Sequence, residues 1–332
     1  MTGSGGPAVL VTGGAGYIGS HTVMALRDAG RRVVVLDSLE LGRADAVGDV
    51  PLVIGDVRDS ELVEATCREH AVGAVVHFAA YKSVGESMQD PARYWHNNVD
   101  GSVSLVEAVL RAGVDHFVFS SSCSVYGTPA RVPVDESAPI GPESVYAETK
   151  ATVERVLQWY GRTHGLRSVN LRYFNAAGAS FTGSIGEDWS MSINLIPLVM
   201  KAVIVGEPAV DIFGDDYPTP DGTCIRDYIH VDDLAAAHLA AIDYLANGGE
   251  PTALNVGTGR GSSVHEVIAA VERVAGQRVP SRVSARRAGD PVAVFADPAT
   301  ATAVLGWTAR HGLDDIVETA YRWHRSAGAS PT

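Results

Sequence analysis

The chain has 332 residues, 46% of them hydrophobic and 20% charged, which suits one large α/β unit or two closely joined domains and is not the composition of a disordered chain. A formal net charge of -13 without a basic stripe argues against a nucleic-acid or anionic-membrane surface, so an anionic ligand must be met by locally placed arginines. No apolar run approaches the ~18 residues of a membrane span and the start MTGSGGPAVLVTGG lacks signal-peptide regions, while Cys67, Cys123 and Cys224 show no CxxC spacing; a cytoplasmic protein without disulfide framework or metal site is expected.

From the N-terminus, short β-branched runs alternate with amphipathic stretches, which predicts βαβ units and a parallel sheet. Strands are expected over 8–12, 32–37, 52–55, 74–78, 116–121 and 168–173, with helices beginning near Ile18, Ser60, Pro91 and Glu143. Two half-sheets of three strands with right-handed crossovers give an α/β fold, a Rossmann-type doubly wound parallel sheet. After about Asn175 the rhythm loosens into the Gly-rich AAGASFTGSIGEDWS, followed by expected helices over 193–205, 233–245, 264–274 and 313–324 and short strands near Ile212 and Leu254. The expected division is a dinucleotide-binding domain over 7–175 and a smaller C-terminal α/β substrate-binding domain over 176–330, parts of 223–260 packing back on the first.

The first strand runs into Gly13, Gly16 and Gly19 at G-x-x-G-x-x-G spacing before a helix. Such glycines allow a tight turn and close backbone approach, so helix N-terminal amides can face a pyrophosphate; alone, they also read as a flexible loop. Asp37 closes the second strand at the offset where a carboxylate meets the adenosine ribose hydroxyls and repels a 2′-phosphate, which favours NAD over NADP; singly it is a solvated strand-end acid. Asp56, within reach of an adenine amino group, and Ala79 and Ala80, which leave room beside a cofactor, end the third and fourth strands, though each is equally compatible with turn chemistry.

The fifth strand delivers Ser120, Ser121, Ser122, Cys123 and Ser124 to its carboxyl end, and Tyr146 and Lys150 follow on a helix. Positions i and i+4 share a helix face, so the Lys150 ammonium can lie near the Tyr146 phenol and, with a nicotinamide cation, favour the phenolate. Tyr146 would take a hydroxyl proton, Ser122 would hydrogen-bond the same oxygen, Lys150 would hold the nicotinamide ribose, and hydride would move to NAD. Tyr-x-x-x-Lys by itself is common decoration of amphipathic helices; the serine-bearing strand of a glycine-motif fold is what gives it meaning.

The ordered segments VTGGAGYIGSH, HFAAYKSVGES, NNVDG, FSSSCSVYG, YAETK, LRYFNAAGA, IFGDDYPTPDGT and RDYIHVDDL resemble the extended short-chain dehydrogenase/reductase superfamily, most closely its UDP-glucose 4-epimerase family, from about Val9 to His324. The resemblance implies that Ser122, Tyr146 and Lys150 are catalytic and that Tyr17, Ile18, Asp37, Asp56, Val57, Phe78, Lys82, Asn97 and Phe174 bind NAD. It places Asn175, Asn194, Leu195, Phe213, Arg226, Arg287 and Asp290 on the UDP part, with Lys82 and Ser122 also facing the substrate. The two arginines, otherwise ordinary surface residues, are the local charge-assisted donors that a diphosphate needs in an acidic protein. UDP-glucose and UDP-galactose would interconvert through a 4-keto sugar held by UDP, with NAD retained between turnovers; a homodimer is implied as well.

Related 4,6-dehydratases carry an Asp-Glu pair after the strand-five Ser/Thr, where this chain has Cys123 and Ser124, so dehydration is disfavoured. Val294 stands where some epimerases have tyrosine near the sugar, which suggests room for the 2-acetamido group of UDP-GlcNAc and UDP-GalNAc. A UDP-uronate or UDP-pentose 4-epimerase would share the same machinery, and a non-catalytic NAD-sensing protein would share the fold.

Overall fold

The computed structural model describes residues 6–189, 192–206, 208–287 and 289–327. The first half runs β1 (Ala8–Thr12), α1 (Tyr17–Asp28), β2 (Val33–Asp37), β3 (Leu52–Ile54), α2 (Ser60–Glu69), β4 (Val72–His77), α3 (Val84–Gln89), α4 (Pro91–Tyr94), α5 (Gly101–Arg111), β5 (His116–Ser120), α6 (Val145–His164) and β6 (Arg167–Tyr173). The second half adds β7 (Asn175–Ala177), α7 (Leu195–Val205), β8 (Val210–Phe213), β9 (Ile225–His230), α8 (Val231–Ala246), β10 (Thr252–Val256), β11 (Gly261–Ser263), α9 (Val264–Ala275), β12 (Ser281–Ser284), β13 (Ala293–Val294), α10 (Ala299–Leu305) and α11 (Leu313–Ala327).

β1 and β2 are runs of apolar, mostly β-branched residues buried at every position, the signature of strands covered on both faces. The sheet order is β10-β6-β5-β4-β1-β2-β3, and every pair is parallel. Because strand side chains alternate, β1 sends Val9 and Val11 to a core with Val23 and Leu26 of α1 and Leu234 and Ala241 of α8. Ala8 and Leu10 go to the opposite core, with Val63 of α2, Leu105 of α5 and Leu157 of α6. A third core joins Val199 and Met200 of α7, Val271 of α9 and Val317 of α11.

The strand expected near Leu254 is β10, which pairs with β6 at the edge of the large sheet rather than joining the smaller lobe. With α8 it accounts for the return of the 223–260 segment to the first core. The helix expected from Pro91 is interrupted by a π-helical turn over Trp95–Asp100, where Asn98 donates to Tyr81 O at 3.1 Å and to Thr149 Oγ1 at 3.1 Å. Those side-chain bonds, which no periodicity encodes, hold the widened turn. Among the described residues no helix is long and apolar enough to cross a membrane.

Candidate active site

Strand order reverses between β1 and β4, where an open α/β sheet leaves a crevice at its carboxyl edge. A cleft of about 500 Å³ opens there, with Gly13, Gly16, Tyr17, Ile18 and Gly19 along one wall. Gly13 has φ +71°, and a Cβ on it would lie 2.6 Å from the Ala79 amide nitrogen. On Gly19 a Cβ would lie 2.2 Å from the Gly13 carbonyl oxygen, so both positions require glycine. Gly16 caps α1 without a side-chain hydrogen bond, and no acid stands in the first turn. The first amides of the helix therefore face the cleft as an anion site.

Asp37 is buried at the end of β2, its carboxylate accepting from Ala15 N at 2.9 Å and Leu39 N at 2.8 Å. It lines the cleft, as do Asp56, Val57, Phe78, Ala79, Ala80, Lys82 and Asn97. Arg58 grips Asp56 by Nε at 2.9 Å and Nη2 at 2.5 Å and holds its carboxyl below the usual range. Lys82 lies 3.6 Å from Glu187, whose carboxyl burial pushes up.

Glu187 was not among the expected site residues, nor were Glu40, Tyr81 and Arg93, which also line the cleft. Arg93 donates to Glu40 at 2.7 Å and Tyr81 donates to the same carboxylate at 2.7 Å, so a bridge joins the loops after β2 and β4. Position after a sheet strand could have marked Glu40 and Tyr81, while Arg93 lies on α4. Glu187 sits in the Gly-rich stretch that reads in sequence as a mere change of domain.

Tyr146 and Lys150 lie one turn apart on α6, both buried and both in the cleft lining. Ser144 caps the helix by accepting from Ala147 N at 3.2 Å, which fixes where its first turn begins. Lys150 Nζ donates to Ser120 O at 2.7 Å and stands 5.9 Å from the Tyr146 ring centre. Ser122 Oγ accepts from Ser124 N at 3.2 Å and Ser124 Oγ at 2.9 Å, so its own proton is free to be donated. That hydroxyl pulls the Tyr146 phenol down, but burial outweighs it and pushes the phenol well above its ordinary value. Burial also lowers the Lys150 amine to about 7, with Glu154 opposing. Sequence reasoning counted charge attraction alone; desolvation dominates both groups.

The residues expected at UDP lie beyond the cleft lining, as do Phe174 and Ser122. Arg226 on β9 donates to Asp290 at 2.9 Å, and Arg287 lies 3.8 Å over the Phe213 ring. Asn175 donates to Asp227 O at 3.1 Å. Asn194 is exposed at the start of α7, its side chain uncommitted to that helix, and Leu195 follows it. Val294 and Phe174 are packed in one buried cluster with Tyr126 and Ala151. Cys123 shares that cluster and burial pushes its thiol up to about 12, as suits a packed residue and not a nucleophile.

The sequence matches the model of the NAD dependent epimerase/dehydratase family over residues 9–257. It is similar to the UDP-glucose 4-epimerase of Halalkalibacterium halodurans, 46% identical over 319 residues that cover 96% of each chain. The fold is similar to the crystal structure of UDP-glucose-4-epimerase from Stenotrophomonas maltophila with bound NAD and formylated UDP-arabinopyranose, with TM-score 0.94, 43% identity and coverage of 97% of this chain and 99% of that one. It is also similar to UDP-glucose 4-epimerase from Bifidobacterium longum in complex with NAD+ and UDP, with TM-score 0.91, 38% identity and coverage of 97% and 99%.

Proposed function

Because the chain belongs to the NAD dependent epimerase/dehydratase family, we propose that it is an NAD-dependent isomerase that interconverts UDP-glucose and UDP-galactose by inverting sugar C4 through a 4-keto intermediate. The observation that carries this reading is the presence of Tyr146 and Lys150 in the lining of the same cleft as the glycine turn and Asp37.

The cleft suits NAD on its own chemistry. An uncapped helix start meets a pyrophosphate, and a buried carboxylate at the end of β2 meets a ribose diol. Gly13, Gly16, Tyr17, Ile18 and Gly19 would hold the phosphates, Asp37 the adenosine ribose, and Asp56, Val57, Phe78, Ala79, Ala80, Lys82, Asn97 and Phe174 the rest. NAD, when bound, supplies the two-electron oxidation at C4 and its reversal.

Tyr146 takes the proton from the 4-hydroxyl and returns it after the sugar has turned. With its lone pairs engaged by Ser124, Ser122 donates to the reacting oxygen. Lys150 places positive charge beside the phenol. Burial opposes the phenolate, so positive charge beside the phenol, from Lys150 and from a bound nicotinamide cation, favours proton abstraction. Arg226 and Arg287 anchor the diphosphate while the sugar turns over, with Asn175, Asn194, Leu195, Phe213 and Asp290 around the uridine and Lys82 near the phosphates. As part of the same proposal the protein is a cytoplasmic homodimer, for which the exposed Trp159 of α6 offers apolar surface; a monomer in sedimentation velocity would refute this.

The test is conversion of UDP-galactose by purified protein without added NAD. Turnover is expected, and Tyr146→Phe should lose roughly 10²–10⁴-fold in kcat, the usual weight of a positioned acid–base. A folded, NAD-containing variant with unchanged kcat would remove Tyr146 from its role. The reading extends to the 2-acetamido pair because Val294 is small where it packs on Phe174. UDP-GalNAc should therefore be turned over as well, and Val294→Tyr should lose that activity selectively. If neither enzyme uses the acetylated sugar, the extension fails.

A further inference from the structure

Four positions beyond Lys150 on the same face of α6 lies Glu154, buried and outside the cleft lining. Its carboxylate accepts from Ser121 Oγ at 2.5 Å and is gripped by Arg172 of β6, Nε at 3.0 Å and Nη2 at 2.6 Å. Arg172 also donates to the Tyr126 hydroxyl at 2.9 Å, and that hydroxyl donates to Asn255 of β10 at 2.7 Å. Ser121 stands between Ser120, whose carbonyl holds Lys150, and Ser122, the expected partner of Tyr146. One carboxylate thus ties the helix carrying Tyr146 and Lys150 to the strand end that completes the site.

Given the epimerase reading above, on which this rests, we propose that Glu154 is a positioning residue. Through Ser121 it fixes the end of β5 that presents Ser122, and through space it raises the hold of Lys150 on its proton. The groups facing Lys150 make Glu154 the charge that matters. From β4 comes His77, held neutral by burial, its pKa lowered to about 3. From β5 come the Ser120 carbonyl and the Phe119 ring at 4.8 Å, and the Tyr173 phenol of β6, which lines the same cleft, is kept protonated by burial. Tyr146 on α6 and the Cys123 thiol are likewise held protonated by burial. Arg172 is engaged by the carboxylate itself. Glu154 opposes the desolvation that would strip the proton from Lys150.

The charge-neutral double variant Glu154→Gln/Arg172→Gln and the single Ser121→Ala separate the two effects. In NAD-loaded protein without substrate, the Tyr146 phenolate is titrated by ultraviolet difference absorbance against Tyr146→Phe. With less charge on Lys150 the double variant should show a phenolate midpoint roughly one pH unit higher, and its alkaline loss of kcat should begin roughly one unit lower. Ser121→Ala should leave both midpoints in place while lowering kcat about tenfold, a loss of the size of one weakened hydrogen bond in the transition state. An unmoved phenolate midpoint in the folded double variant overturns the electrostatic role, and wild-type kcat in Ser121→Ala overturns the tether. The phenolate titration needs no turnover, so a chain inactive on UDP-galactose would defeat the epimerase reading and leave this measurement able to decide on Glu154 by itself.

Discussion

Lys150 carries an amine where an ammonium is poorly solvated, and the cost shows in a pKa lowered to about 7. An unfolded lysine titrates near ~10.4, so between these values the unfolded chain binds the additional proton and stability rises with pH. Lys150→Met has no such proton to lose. In NAD-free protein the variant should therefore be more stable than wild type below about pH 7, and its advantage should shrink as pH rises towards about 10. Urea midpoints across that range check this; a gap independent of pH would contradict burial as the cause. The pair Tyr146 and Lys150 was legible because helical spacing puts i and i+4 together and the serine-bearing strand of a glycine-motif fold gives the pair meaning. The partners of Glu154 were not, since Ser121 and Arg172 meet it across three elements that only the fold assembles. Nor could spacing reveal that desolvation, and not attraction, governs the phenol.

At the scale of elements, α1 begins without a side-chain cap, and its position comes from the close approach of its first turn to the loop after β1. Gly19→Ala would place a methyl 2.2 Å from the Gly13 carbonyl oxygen, a backbone atom that cannot step aside alone. The first turn must then move out of the anion site. The expected result is purified protein with little bound NAD and a lowered Tm; NAD content equal to wild type would show that this turn does not hold the pyrophosphate. The central strands β1 and β2 were legible because burial at every position leaves nearly continuous Val and Leu runs, so β1 falls on its expected residues. The shorter pieces were not. α3 has only six residues, and β9 carries a half-buried Arg226 and a fully buried Asp227 in place of an apolar alternation, a pattern that is legible only once β7, β11 and β13 are seen pairing with it. Arg226 stands on that small sheet paired with Asp290, so the proposed substrate side rests on family motifs and not on periodicity.

At the scale of the whole molecule, the division at residue 175 follows the glycine-rich stretch but does not follow the core. The face of the large sheet that meets α1 is completed by Ile229, Leu234, Ala237, Ala241, Ile242 and Leu245 from one later segment and by Leu254 and Val256 from β10. A fragment ending at Gly178 would leave Val169 and Leu171 of β6 at a bare sheet edge, and Val118 of β5 without α8, the helix that packs on β5 and β6. At about 25 cal/mol per Å² of apolar surface, uncovering so many fully buried side chains exceeds the 5–15 kcal/mol by which domains are stable. Residues 1–178 should accordingly fail to unfold cooperatively in a thermal melt, whereas 1–258, which restores α8 and β10, should regain a transition and measurable NAD affinity while lacking Arg287 and Asp290. A cooperative 1–178 fragment would show that the dinucleotide half is self-sufficient. The failure of that fragment together with rescue by 1–258 would place the functional boundary after β10, so that the strand pairing Asn255 with the Tyr126–Arg172 ladder belongs to the catalytic half of the molecule.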